Sequence, residues 1–159
     1  MKQDDFETID FRQATETDAA DVSAVYLESR KTFVPFAPLA HSDSEVRGWI
    51  AGVLIPTGNV EVVLVEGKIA GMCAAVQRHP VSWIDHLYLR PGYVGKGLGA
   101  KLLDRALKKL SRPVRLYTFQ ENKGACRFYE RYGFVPIEYG DGSGNEEGVP
   151  DVLYELIGS

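Results

Sequence analysis

Leu87-Tyr88-Leu89-Arg90-Pro91-Gly92-Tyr93-Val94-Gly95-Lys96-Gly97-Leu98-Gly99-Ala100 is an apolar run that stops at a proline, crosses a glycine-spaced loop and enters a helical pattern through Leu102, Leu103, Ala106, Leu107 and Leu110. Strand, loop and helix in that order build an anion site, because small residues let ligand oxygens approach the backbone and the first N–H groups of a helix have no internal partner. Two common nucleotide motifs do not fit. A dinucleotide fingerprint needs G-x-G-x-x-G after the first strand, whereas here Gly95, Gly97 and Gly99 alternate halfway along the chain. A phosphate loop needs Gly-Lys-Ser/Thr, and Gly95-Lys96 is followed by Gly97.

Upstream, Ile9 to Gln13 reads as a short strand, and Thr15-Glu16-Thr17-Asp18 offers a capping-box start to a helix with Ala19, Val22, Val25, Tyr26 and Ser29 on one face, ending near Arg30. Pro35 and Pro38 mark a loop. Ser42-Asp43-Ser44-Glu45 then caps a helix through Val46, Trp49, Ile50 and Val53. Val60 to Val65 and Ile69 to Gln77 pair as a hairpin across Glu66-Gly67-Lys68, and Trp83 to Leu89 supplies the next strand. Downstream, the helix after the glycine loop is expected to run to Leu110, and Val114 to Phe119 is a fifth strand. Asn122 caps a helix to Tyr132 that leaves through Gly133, and Phe134 to Tyr139 and Val152 to Ile157 close the chain as strands. This order predicts an α/β (α+β) fold: one mixed, largely antiparallel sheet of about seven strands flanked by about four helices.

A chain of 159 residues that is 45% apolar suits a single domain over residues 1–159. Its formal charge of −4, with no basic tract or stripe, argues against a nucleic-acid partner. The acidic start Met1-Lys2-Gln3-Asp4-Asp5-Phe6-Glu7 does not resemble a secretory signal, and no apolar run is long enough to span a membrane, so a cytoplasmic protein is expected. Cys73 and Cys126 sit in apolar periodic segments and read as buried thiols. No cluster of His, Cys and carboxylates has metal-ligand spacing.

A second motif follows about twenty residues on: Leu116-Tyr117-Thr118-Phe119-Gln120-Glu121-Asn122, then Ala125, Phe128-Tyr129-Glu130 and Tyr132-Gly133-Phe134. With the glycine loop, it makes the chain resemble the GNAT superfamily of acetyltransferases, most strongly from Ile84 to Phe134. The resemblance implies an acetyl-coenzyme A dependent N-acetyltransferase acting by direct transfer to a primary amine of a small molecule or peptide. It implies that Leu87, Tyr88 and Leu89 bind the pantetheine arm through backbone groups. Gly95, Lys96, Gly97, Leu98, Gly99 and Ala100 would wrap the pyrophosphate, with Asn122 and Tyr129 also at the cofactor. Val94 departs from the family pattern, which has Arg or Gln there, so binding must rest on the loop backbone, with Lys96 or Arg90 supplying charge. On that basis Gly97→Val or Gly99→Val should remove cofactor affinity more completely than Lys96→Ala.

A primary amine with a pKa near ~10 is about a thousandth neutral at pH 7, and only the neutral form attacks a thioester. A base must therefore take a proton, and the departing thiolate gains from an acid. Tyr129 matches the family's general-acid position, although Ala125, Phe128, Tyr129 and Tyr132 also describe an ordinary buried helix face. The glutamate that some members carry on the fifth strand is Tyr117 here. Asp85 and His86 are the alternatives for the base; Asp85 is expected to share a face with Trp83 and Leu87, so only one of the two can act unless a bulge intervenes. A water path to solvent is a third possibility.

For the acceptor site the resemblance points to Phe33, Phe36, His41 and Trp49 on one side and Asp141, Asn145, Glu146, Glu147 and Asp151 on the other. Acids without a basic residue among them favour a cationic amine, while a solvated charged loop is the plainer reading. His41 reads as a loop or capping residue and Trp49 as core. A non-catalytic acyl-coenzyme A sensor, another acyl chain or nucleophile, and a homodimer stay open.

Overall fold

The computed structural model describes residues 8–158; the acidic start up to Glu7 lies outside them. Seven strands, β1 (Ile9–Gln13), β2 (Val60–Val65), β3 (Lys68–Val76), β4 (Ser82–Leu89), β5 (Val114–Phe119), β6 (Val135–Tyr139) and β7 (Asp151–Leu156), form one sheet in the order β1-β2-β3-β4-β5-β7-β6. All neighbours are antiparallel except β4 and β5. Helices α1 (Ala19–Phe33) and α2 (Asp43–Trp49) pack on one face and α3 (Leu98–Leu107) and α4 (Lys123–Tyr132) on the other. The expected mixed α/β sheet with four helices is therefore the fold.

Each face has its own core. On the α1–α2 face, Val22, Val25 and Tyr26 meet Val60, Val62, Met72 and Ala74; on the other, Leu98, Leu102 and Leu103 meet Val63, Cys73, Ile84 and Leu116. Helix α3 is also tied to β2 by a two-pronged ion pair, Arg105 Nε and Nη2 donating to the Glu61 carboxylate at 2.8 and 2.7 Å. A part-buried hydrogen bond from the Tyr154 hydroxyl to Glu130 Oε2, at 2.6 Å, fastens α4 to β7.

Three local expectations are corrected. The helix beginning at Asp43 does not run regularly to Val53: after Trp49 it widens into a π-type turn over Ile50–Leu54, then tightens through Ile55–Thr57. The wider turn rotates the apolar stripe, so Ile50, Leu54 and Ile55 are buried and Val53 is exposed. Helix α3 ends at Leu107, and Lys109 and Leu110 instead donate three residues back, to the Ala106 and Leu107 carbonyls, which tightens the last turn before Pro113. Cys73 is fully buried, whereas Cys126 is only half-buried.

Two irregularities shape the centre of the sheet. Strands β4 and β5 pair only at Ser82–Val114 and Trp83–Arg115 and then separate. From Ile84 onward, the β4 backbone groups that face β5 have no strand to bond. The second is a bulge between β3 and β4: Ala74 pairs with His86 and Ala75 with Ile84, leaving Asp85 unpaired. Because side chains alternate, one extra residue reverses the facing of everything beyond it. His86 and Tyr88 thus join Trp83 on the α1–α2 face, while Leu87 and Leu89 point into the α3–α4 core. The expectation that Asp85, Trp83 and Leu87 share a face does not hold.

Candidate active site

Where β4 and β5 part, a cleft of about 940 Å³ opens through the sheet. One wall is β4 from Ile84 to Leu89, the other is β5 from Leu116 to Phe119 with the start of α4; the glycine loop closes one end and the last turns of α1 the other. Asp85, His86, Leu87, Tyr88, Leu89, Gly95, Gly97, Gly99, Ala100, Asn122 and Tyr129 all line it, so residues spread over 45 positions of sequence meet in one cavity. Lys96 and Leu98 do not line it. The Leu98 side chain is fully buried in the core, which leaves that residue only its backbone N–H to offer a ligand.

The loop gets its shape from backbone conformation. Gly95 and Gly97 both have φ of +84°, in the left-handed region, and a Cβ on either would touch nothing within 4 Å. Glycine is needed there for its dihedrals. Gly97 is the N-cap of α3, so the N–H groups of Leu98, Gly99 and Ala100 open the helix without intrahelical acceptors. Gly99 has an ordinary φ, and a Cβ there would sit 3.7 Å from Leu89 and Phe128, at normal contact distance. Gly97 and Gly99, which the sequence reading grouped together, thus differ in what their backbone requires. Val94 stands half-exposed at the rim. Arg90 is not a spare cation for the loop, because its guanidinium reaches back to Asp21 at 3.4 Å and Glu28 at 3.7 Å on α1.

Asn122 caps α4 by accepting the Ala125 N–H at 3.2 Å, which leaves its amide donors for the cleft. Tyr129, two turns along, is 8% exposed and lies among Phe128, Phe134 and Tyr154, with ring centroids 5.2, 5.7 and 6.2 Å away. The ring is part of the core, and the residue also borders the cleft. Burial raises its pKa well above that of a free phenol, so it stays protonated at neutral pH.

At the other end, His86 is walled by aromatic rings: Tyr26 at 5.8 Å, Trp49 at 5.4 Å and Tyr88 at 5.9 Å between centroids. Trp49 is thus half-buried in the wall of this cluster. Burial first, and the Arg30 charge second, push the imidazole down to about 4, and its Nδ1 is buried with no hydrogen-bond partner. A neutral imidazole so depressed is a poor match for a base working near neutrality. Asp85, thrown outward by the bulge, is exposed in the cleft with its carboxyl pKa raised by burial against an opposing effect of Arg78. Tyr117 stacks on Trp83 at 5.8 Å and 12° and offers no carboxylate.

The acids expected to attract a cationic amine are engaged elsewhere. Glu147 pairs with Arg30 at 3.4 Å and Glu146 with His41 at 3.3 Å; Asp141 accepts the Ser143 N–H at 2.9 Å, and Asp151 accepts the Asn145 amide at 3.1 Å. They brace the loop between β6 and β7 against the α1–α2 connection. Sequence reading passed over Arg30, a charged residue that is 6% exposed and set four positions after Tyr26 on the buried face of α1. Its place on that apolar stripe was the available signal.

The family follows from comparison with known proteins. Residues 22–134 match the Acetyltransferase (GNAT) family. The chain belongs to it. An uncharacterized N-acetyltransferase of Archaeoglobus fulgidus is 28% identical over 150 residues, covering 87% of this chain and all of that one. An uncharacterized N-acetyltransferase of Methanocaldococcus jannaschii is 33% identical over 85 residues, 46% of this chain and 38% of that protein. The spermine/spermidine N(1)-acetyltransferase of Bacillus subtilis is 35% identical over 57 residues, 33% of this chain and again 38% of that protein. The last two matches therefore span little more than a third of the relatives' length. Among solved structures, the PaiA N-acetyltransferase of Thermoplasma acidophilum in complex with coenzyme A superimposes with a TM-score of 0.75, covering 96% of this chain and all of that one at 20% identity. Among the described residues no helix is long and apolar enough to cross a membrane, and no group of three or more His, Cys, Asp or Glu could hold a metal.

Proposed function

We propose that the protein transfers the acetyl group of acetyl-coenzyme A to a primary amine by direct attack within the β4–β5 cleft. The observation that carries this reading is the parting of β4 from β5 after two residue pairs, which leaves a strand edge unbonded beside a glycine-shaped helix start. An extended amide-bearing arm adds to such an edge as a strand would. A diphosphate suits the open N–H groups of Leu98, Gly99 and Ala100 at the positive end of α3, a dipole contribution of ~0.3–2 kcal/mol. The thioester supplies the activated acyl group.

The residues of the chain divide the proton transfers. Asp85 takes a proton from the acceptor ammonium, directly or through one water, and the neutral nitrogen lone pair forms the new bond to the acetyl carbonyl carbon. As the tetrahedral intermediate collapses, the carbon–sulfur bond breaks, Tyr129 gives its hydroxyl proton to the leaving thiolate, and the second proton of the attacking nitrogen passes through water to restore the phenol. The phenol's raised pKa keeps that proton in place at rest. His86, neutral and walled by rings, shapes the acceptor end.

Release of free thiol from acetyl-coenzyme A in the presence of amines tests the reading, with Asp85→Asn as the diagnostic variant. The wild type should lose activity as pH falls through the raised Asp85 pKa, because only the carboxylate accepts a proton; Asp85→Asn should lose that acid limb and about 100-fold in kcat. An unchanged profile would transfer the base role to water. Bound coenzyme A with no turnover across a wide amine panel would instead favour a sensor.

A further inference from the structure

The buried guanidinium of Arg30 is placed in the acceptor end of the cleft and is short of partners. A guanidinium has five N–H donors in a planar fork. In Arg30, Nη1 reaches the Tyr26 hydroxyl at 3.5 Å, and Nη2 reaches the Ala37 carbonyl at 3.2 Å and Glu147 Oε2 at 3.4 Å; the Tyr88 hydroxyl also engages the guanidinium, while Nε is buried with no hydrogen-bond partner. The contacts to Tyr26 and Glu147 are at the long limit. Glu147 touches through one oxygen only, short of the two-pronged geometry that makes arginine–carboxylate pairs strong. The residue is 6% exposed, yet it borders both the main cleft and a smaller cavity of about 360 Å³ beside it. Its charge also lies over the Phe119 ring at 5.6 Å and the Tyr26 ring at 5.9 Å. A permanent cation in so dry a place, with a donor left open, is matched by an anion that brings two oxygens.

We propose that Arg30 is the specificity-determining residue of the acceptor site, and that it binds a carboxylate carried close to the amine, so that the acceptor is a free α-amino acid. This rests on the acetyl-transfer reading. Asp85, Arg30, Phe33 and Phe119 all border one cleft, so such a molecule would find an acid for its ammonium, a guanidinium for its carboxylate and rings for its apolar side chain. A carboxylate there would also offset the Arg30 charge that presses on His86. A polyamine fits worse, because its second ammonium would approach a buried guanidinium whose charge is met by a single long contact to Glu147.

Matched pairs that differ only in the carboxylate test this: L-phenylalanine against phenethylamine and L-methionine against 3-(methylthio)propylamine, with spermidine as a third amine. Each is followed by thiol release and by calorimetric binding to the protein saturated with coenzyme A. The carboxylated member should be favoured about 10- to 100-fold in kcat/KM and in affinity, the range for a charge-assisted contact. Arg30→Met should erase that preference, provided its thermal melt stays cooperative. Glu147→Gln removes the internal competitor without emptying the site, and should tighten the amino acids several-fold while leaving their decarboxylated partners unchanged.

Equal use of phenethylamine or spermidine would overturn the proposal and leave acetyl transfer standing. Binding of the amino acids that depends on Arg30, without thiol release, would support the carboxylate site and sink the acetyl-transfer reading. Failure of every probe to bind, or a preference that survives Arg30→Met or shifts equally for both members in Glu147→Gln, also overturns it.

Discussion

The two ends of the cleft are made in opposite ways. At the glycine end, the groups offered to a ligand are backbone N–H groups held by the dihedrals of Gly95 and Gly97 and by the start of α3, all within a few residues. At the α1 end they are side chains from distant parts of the chain: Arg30 from α1, His86 and Asp85 from β4 and Phe119 from β5, with Tyr26 and Glu147 packed behind them. Under the proposed function the first end would bind through main chain, whose dihedrals do not depend on a neighbouring side chain such as Val94. The second would bind through side chains, so that a single substitution could change its partner. A common acyl donor with a variable acceptor is the functional counterpart of that asymmetry.

The contrast can be broken by substitution. Tyr129→Phe should give the largest effect, about 100- to 10,000-fold in kcat with little change in the binding of coenzyme A; since only a hydroxyl is removed from a packed ring, the thermal melt should hold. Undiminished turnover would leave the ring as core alone. Gly97→Val should weaken coenzyme A by about 100-fold in calorimetry, because a β-branched residue at φ of +84° is strained and reshapes the start of α3.

His86 makes the stability of the fold depend on pH. Its pKa is about 6.5 in the unfolded chain and about 4 when folded, so the unfolded state takes up the proton first. Stability is full above about pH 6.5 and falls as pH drops toward 4, by up to about 3 kcal/mol from the shift and nearer ~1–2 kcal/mol once the ring's partial exposure is allowed for. Denaturant titrations at pH 7 and pH 4.5 should show this loss, and His86→Gln should remove most of it. The smallest effect belongs to Gly99→Ala, whose new methyl would meet Leu89 and Phe128 at 3.7 Å; coenzyme A affinity should change less than about threefold. A loss as large as that of Gly97→Val would mean that the ligand, and not the backbone, needs the space at Gly99.

Legibility in the sequence followed the range of the forces involved. The strand Val114–Phe119, the Asn122 cap and the Gly133 exit match expectation because propensity and capping act over a turn or less. The run of the chain after Trp49 did not, because a π-type turn is selected by how Ile50, Leu54 and Ile55 fill the core beneath it. At the site, the family resemblance pointed to Tyr129 and to Gly95, Gly97 and Gly99, all of which line the cleft. The facing of Asp85 and His86 was not, since the bulge depends on how β4 meets β3. Nor was the neutralisation of Glu147, whose partner lies 117 positions away.

What the sequence determined by itself was the order of elements and the backbone site at Gly95 to Ala100, because glycine dihedrals, helix starts and apolar periodicity are written into consecutive residues. Tertiary structure alone decided which side chains meet at the acceptor end. The bulge at Asp85, the parting of β4 from β5 and the burial of Arg30 each arise from contacts between segments far apart in the chain, where packing and desolvation, and no local preference, set the outcome.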